Sequence, residues 1–232
     1  MTTSITPDTF AKVPAFSGCS KSILDEIYAE GKYVKVSLGQ ALSTSSIISN
    51  RVLLILSGKA RLLGKHKGQL HSLALLGPGN FVGLASLLRA EACEEVGAST
   101  SVEAWEIPDK LIARFYQEHF SFREWCDTTI FPAEIASLAD FLLSQKIQSE
   151  VGLLDILGEM MKQSKVCNAS DEEFEKIDKE HMTFIASNNS ESSLNSIVLD
   201  GQVSPKHEGI FNLRLLKVKT SWTKQSRLTK KP

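Results

Sequence analysis

The sequence predicts a mainly β protein with flanking helices (α+β): a double-stranded β-roll of the jelly-roll kind, followed by a helical and short-strand extension. Three observations carry this. Between Tyr33 and Ile107, brief apolar runs are separated by glycines about every ten residues, the rhythm of short strands joined by tight turns. On either side, residues 14–31 and 109–145 repeat apolar positions at helical spacing. Beyond residue 181, short strand-like runs alternate with polar, turn-rich stretches.

Taken in order, residues 14–31 place Phe16, Ile23, Leu24, Ile27 and Tyr28 on one face, with Ser20 to cap the helix and Gly31 to end it. The segments YVKVSLG, VLLILSG, ARLLG, LHSLALLGPG, FVGLASLL and VGASTSVEAWEIP are the roll. Asp109 opens a helix in DKLIARFYQEHF whose buried stripe is Leu111, Ile112, Phe115 and Tyr116. Phe131 and Pro132 interrupt, and residues 133–145 bring Ile135, Leu138, Ala139 and Leu142 together as a second helix. Residues 151–164 read as a third. The acidic run SDEEFEKIDKEH then reads as a solvated helix or linker, and strands are expected at 182–186, 196–199 and 211–218. The expected units are thus a roll with its helices over 10–145, a helical linker over 146–181, and a short-strand extension over 182–232 with a basic, disordered tail.

Composition narrows the class. With 232 residues, 42% hydrophobic and 23% charged, the chain can bury one good core and a second, smaller unit. A net charge of −1 creates no long-range field toward nucleic acid or an anionic membrane. The N-terminus shows no secretory pattern, and the longest apolar runs fall far short of the ~20 residues of a membrane helix, so a cytoplasmic protein is expected. Cys19, Cys93, Cys126 and Cys167 are scattered and form no C-x-x-C pair, so neither a metal nor a redox site is expected.

Laid end to end, VSLGQALSTSSIISNRVLLILSGKARLL, LALLGPGNFVGLASLL and VGASTSVEAWEIPDKLIARF resemble a cyclic nucleotide-binding domain of the catabolite-activator and ion-channel type, over about residues 10–145. A different glycine-punctuated jelly roll such as a cupin stays open as the alternative, although His66 and His71, read as solvated turn residues, are not arranged as its metal site requires. The resemblance implies φ > 0 turns at Gly39 and Gly58, and a turn at Gly77-Pro78-Gly79 leading into a ligand loop. It also implies a phosphate-binding cassette over Phe81, Gly83, Leu84, Ala85, Ser86, Arg89, Ala92, Cys93 and Glu94. In that family, amides at a helix start and an arginine fork neutralise a cyclic phosphate, while a glutamate takes the ribose hydroxyl. Here Gly83 matches the family glycine, but Leu84 stands at the glutamate position. An ungapped alignment puts Ala92 where the arginine belongs and Glu94 where a small alanine belongs. Arg89 can reach the pocket only if the loop is rearranged and otherwise reads as an exposed helix-end arginine.

The segments FPAEIASLADFLLSQ and FNLRLLKV resemble the N-terminal region of cyanobacterial ABC exporters that carry a peptidase domain; no P-loop, membrane span or Cys/His dyad accompanies them here. The reading is a non-catalytic regulatory or sensor module with a degenerate pocket, a detached part of such an exporter, with a protein partner and a capacity to pair with itself. No cofactor is expected. Two alternatives stay open: a signalling protein that binds cyclic AMP or cyclic GMP through a rearranged cassette, and a catabolite-activator-type regulator without an evident helix-turn-helix. Nucleic acid is not an expected partner, since the only basic patch is the tail from Lys217 to Lys231.

Overall fold

A computed structural model of the chain describes residues 5–66, 69–144, 153–168, 181–187, 197–198 and 209–219. The acidic run after residue 169, the Ser/Asn-rich 188–196, the polar stretch at 200–208 and the basic tail after 219 lie outside the described residues. The elements are α1 (Pro7–Phe10), a 3-10 turn (Pro14–Phe16), α2 (Lys21–Glu30), β1 (Lys32–Val36), β2 (Ala41–Ser43), β3 (Arg51–Ser57), β4 (Ala60–His66), β5 (Gln69–Leu76), β6 (Phe81–Val82) and α3 (Leu84–Arg89). There follow β7 (Glu95–Ala98), β8 (Val102–Pro108), α4 (Asp109–Glu118), α5 (Phe120–Thr128), α6 (Pro132–Ser144), α7 (Leu153–Gln163), β9 (Lys165–Asn168), β10 (His181–Ile185), β11 (Ile197–Val198) and β12 (Arg214–Lys219).

Two antiparallel sheets, ordered β1-β8-β3-β6 and β2-β7-β4-β5, make the roll. Strand β3 shows why its sequence is an unbroken apolar run rather than an alternating one. Val52 and Leu54 join the core under the helices, whereas Leu53 and Ile55 join the core between the sheets. A strand buried on both faces has no polar side to write. Its partner β8 divides the same way, with Trp105 and Ile107 toward the helices and Val102 and Ala104 toward the other sheet.

The helices close the open side of the first sheet. The stripe expected on α4 is buried as read, and Phe122 of α5 is sunk against it. Phe122 stacks on Phe16 at 5.7 Å and meets Phe115 edge-on at 6.3 Å. Phe122, Trp125 and Phe131 therefore cap the roll, and Phe120 is left exposed.

Several local expectations change. Gly58 takes the predicted positive φ of +87°, and an added Cβ would lie 2.2 Å from the Ser101 carbonyl oxygen, so both conformation and space demand glycine there. Gly31 ends α2 as expected, and without a left-handed turn. Its φ is −85°, and the Trp105 indole, which donates to the Ile27 carbonyl at 2.9 Å, fills the space a Cβ would need. Ser20 holds the cap position but its hydroxyl pairs with that of Ser22 at 2.9 Å instead of capping. His66 and His71 lie in the β4–β5 ladder, not in a turn, because the hairpin continues to the pair His66↔Gln69.

The extension forms a third antiparallel sheet, β11-β10-β12-β9. Three of its strands fall where the sequence predicts them. The fourth, β9, lies in the stretch read as helical linker, since Val166 and Cys167 find partners in Leu216 and Leu215 of β12, 50 and 48 residues further along the chain. Local periodicity carries no trace of such a pairing. Ile135, Leu138 and Ala139 of α6 pack with Phe184, Leu216 and Val218, so α6 backs this sheet.

Two polar clasps tie sheet to helices. Arg214 on β12 is fully buried and grips Glu134 of α6 bidentately, Nε to Oε1 at 2.6 Å and Nη2 to Oε2 at 2.9 Å. Its Nη1 also donates to the Cys126 carbonyl at 2.6 Å and its Nη2 to that of Thr129 at 2.8 Å. Burial disfavours the guanidinium charge, but Glu134 outweighs it and holds the Arg214 pKa above its ordinary value. In the second clasp, the Tyr116 hydroxyl donates to Asp127 at 2.6 Å, and Asn212 donates to both through its amides, at 3.0 and 2.8 Å.

Candidate functional site

The expected cassette is one compact turn of structure. β6 delivers Phe81 and Val82 into the core, Gly83 turns the chain at φ +91°, and α3 begins at Leu84. Gly83 keeps close company with the Arg51 carbonyl, 3.1 Å from where a Cβ would stand. Leu84, at the family's glutamate position, is wholly buried in the helix-side core, and Ala85 is wholly buried in the core between the sheets.

The amides at the start of α3 already have an acceptor. Glu94 is buried, and its carboxyl accepts the Ser86 N–H at 3.0 Å, with the Gly83 amide and the Ser86 hydroxyl near enough to favour its charged form. The same hydroxyl accepts the Cys93 N–H at 3.1 Å. A side chain of the protein thus stands at the donors that a bound anion would use.

Burial pushes the Glu94 pKa up, against the pull of those donors, and the charge of Glu134 adds to the rise. The fold therefore favours the protonated form. The stability that Glu94 contributes is fullest at acid pH and is lost as pH rises from the ordinary glutamate range through its raised value. Glu94→Gln is expected to flatten the melting temperature against pH in that window, with the wild type gaining on the variant as the solution is acidified. Parallel curves would show that the group titrates as in the unfolded chain.

Arg89 departs from expectation. It is fully buried, not an exposed helix end: its Nε donates to the Ala186 carbonyl at 2.5 Å and its Nη2 to the Ser137 hydroxyl at 3.2 Å. Its own carbonyl accepts the Ser187 hydroxyl at 3.4 Å, and Nη1 is buried without a hydrogen-bond partner. The extension, absent from a reading of the roll alone, turns this side chain inward.

A cavity of about 360 Å³ lies beside the cassette, between β4, β5, residues 91–95 and α6. Of the sequence-predicted residues it brings in Ala92 and Cys93, and not Phe81, Gly83, Leu84, Ala85, Ser86, Arg89 or Glu94. Burial drives the Cys93 thiol up to about 11, so it is no thiolate nucleophile at neutral pH. Sequence reasoning missed Ser137 and Asp140, which α6 contributes to the lining, and Glu91 and Glu95. Their signal lay only in the contact of α6 with β4 and β5, which a linear sequence does not display. No described helix is long and apolar enough to cross a membrane, and no group of three or more metal-ligating side chains occurs among the described residues.

The family model "Cyclic nucleotide-binding domain" matches residues 34–119. Among solved structures, the chain is similar to a putative cyclic nucleotide-binding protein from Geobacter metallireducens (15% identity, 52% of this chain and 89% of that one, TM-score 0.45). It is similar also to the sensor domain of the transcriptional regulator DNR from Pseudomonas aeruginosa (16% identity, 62% and 93%, TM-score 0.46). A third likeness is to the regulatory subunit of a cAMP-independent protein kinase A from Trypanosoma cruzi bound to guanosine (13% identity, 51% and 46%, TM-score 0.42). No curated protein matches the chain. The roll at residues 34–119, with its glycine turns, its β3–β8 centre and its cassette helix, is a domain of the cyclic nucleotide-binding family.

Proposed function

We propose that this chain is a non-catalytic regulatory or sensor module whose nucleotide pocket is degenerate. The observation that carries the reading is the carboxyl of Glu94 on the Ser86 amide, with Ala92 at the arginine position and no Lys, Arg or His among the described residues that line the cavity. A phosphate entering there meets an amide already taken and no cationic side chain among the described lining residues. Stripping one member from a buried ion pair costs about 3–5 kcal/mol, which is roughly two to four orders of magnitude in affinity. Signalling then runs through contact with a partner. The resemblance of 131–145 and 211–218 to exporter N-terminal regions makes an ABC-type peptide or protein exporter the partner to test by co-purification. A catabolite-activator-type regulator is less well supported, since α7 is followed directly by strand β9 rather than by a recognition helix.

Calorimetry decides the ligand question. Cyclic AMP and cyclic GMP are expected to give no heat at millimolar concentration with the wild type. Binding is expected to return in the paired variant Ala92→Arg, Glu94→Ala, which restores the family's residue types at both positions. Tight binding to the wild type would overturn the reading.

A further inference from the structure

Between Phe81 and Glu95 the sequence has one basic side chain, Arg89, and the fold buries it completely. Nε meets the Ala186 carbonyl at 2.5 Å, Nη2 reaches the Ser137 hydroxyl at a long 3.2 Å, and Nη1 is buried with no hydrogen-bond partner. Both acceptors are neutral, and among the described residues no carboxylate pairs with Arg89. Glu94, whose burial favours the protonated form, and Glu134, already engaged by Arg214, supply no counter-charge. An interior guanidinium with no carboxylate and an idle donor is costly. Arg214 shows the contrast in the same molecule: equally deep, it has a bidentate carboxylate and two carbonyls. An oxyanion would give Arg89 what it lacks, two acceptors in the plane of its fork and an opposite charge, in bonds about twice as strong as neutral ones.

We propose that the main chain at residues 186–187 is an internal stopper on Arg89, and that a small oxyanion, a phosphate or a carboxylate, displaces it and loosens the third sheet from that end. The proposal rests on the degenerate-pocket reading and adds how that pocket is regulated: the chain's own extension occupies its one cation. Ala186 is held on both sides, its carbonyl by Arg89 and its N–H by the Arg214 carbonyl at 2.9 Å, and the Ser187 hydroxyl donates back to the Arg89 carbonyl at 3.4 Å. Ala186 also belongs to the apolar core that fastens the sheet to α6, so lifting it opens the sheet at the end of β10. Nη1 is sealed in the docked state, and the anion therefore binds only the lifted one and populates it. Stopper and anion exclude each other, and each weakens the other by the same factor.

The test is amide exchange on the full chain, read at Ala186, β10 and β12 as a ratio to β3 and β8, during titration with inorganic phosphate or acetate against sodium chloride of equal ionic strength. Taking the ratio removes the general tightening that excluded anions such as phosphate impose on every buried amide. It is expected to rise about three-fold or more by about 0.1 M of at least one oxyanion, with chloride leaving it unchanged. Which of the two acts tells a phosphate source from a carboxylate one. Arg89→Met keeps the bulk and removes the fork; it is expected to exchange fast at Ala186 from the start and to ignore both anions, with protection in β3 and β8 showing that the roll is folded. Arg89→Lys, which keeps the charge without the fork, is expected to lose most of the response. A ratio that stays flat or falls with both oxyanions, or a response that persists in Arg89→Met, overturns the proposal. That failure, with cyclic AMP silent in calorimetry, leaves the degenerate-pocket reading standing; heat from cyclic AMP with the wild type removes the reading and the proposal with it.

Discussion

Arg214→Met is expected to lower the unfolding free energy by about 3–5 kcal/mol, the largest effect of any single polar substitution here. The reason is what it strands. Glu134, with no measurable solvent exposure, would keep a carboxylate in the interior without its guanidinium, and the carbonyls of Cys126 and Thr129 would each lose a donor. The charge can instead be removed from both sides. Glu134→Leu with Arg214→Met is expected to recover the pair's share of the loss, leaving about 1 kcal/mol for each of the two carbonyl hydrogen bonds. Denaturant melts of the two single variants and the double variant measure this as a cycle. A double variant as unstable as the sum of the singles would mean that the two side chains act independently.

Arg89→Ala is expected to loosen the third sheet before it loosens the roll. The substitution empties a fully buried volume and deprives the Ala186 carbonyl of its donor, both at the point where α3 meets the end of β10. Amide exchange should therefore quicken by about ten-fold or more in β10 and β12, an opening made easier by about 1.4 kcal/mol, while β3 and β8 keep their protection. Equal acceleration throughout would show one cooperative unit with no local joint. Removing a buried cation also relieves a desolvation cost, so the global melting temperature is the poorer measure of this contact and the local exchange rates are the better one.

The roll was legible because its determinants are local. Glycines at turns, a strand written apolar on both faces, and the 3.6-residue stripe of α4 are visible without knowing what lies across the molecule. The chemistry of the candidate site was legible only in part. That Ala92 and Glu94 replace an arginine and an alanine could be seen in the alignment of one strand. Where the Glu94 carboxyl goes could not, because it depends on the chain folding back eight residues onto Ser86. Arg89 was misread for the same reason on a larger scale. Helix-end arginines are ordinarily solvated, and this one is covered by a sheet whose nearest contact is 97 residues downstream. Strand β9 was missed because four residues carry too little pattern to outweigh the helix that precedes them.

Helix α6 borders the cavity of the roll along one side and backs the third sheet along another. A single rigid rod shared by two layers cannot shift for one without displacing its neighbour. Asp140 on the cavity side and Glu134 on the sheet side stand on this one helix, and Arg214 fastens Glu134 to β12. The roll and the third sheet thus share one wall, and a charged clasp as well as apolar contact holds the sheet to it.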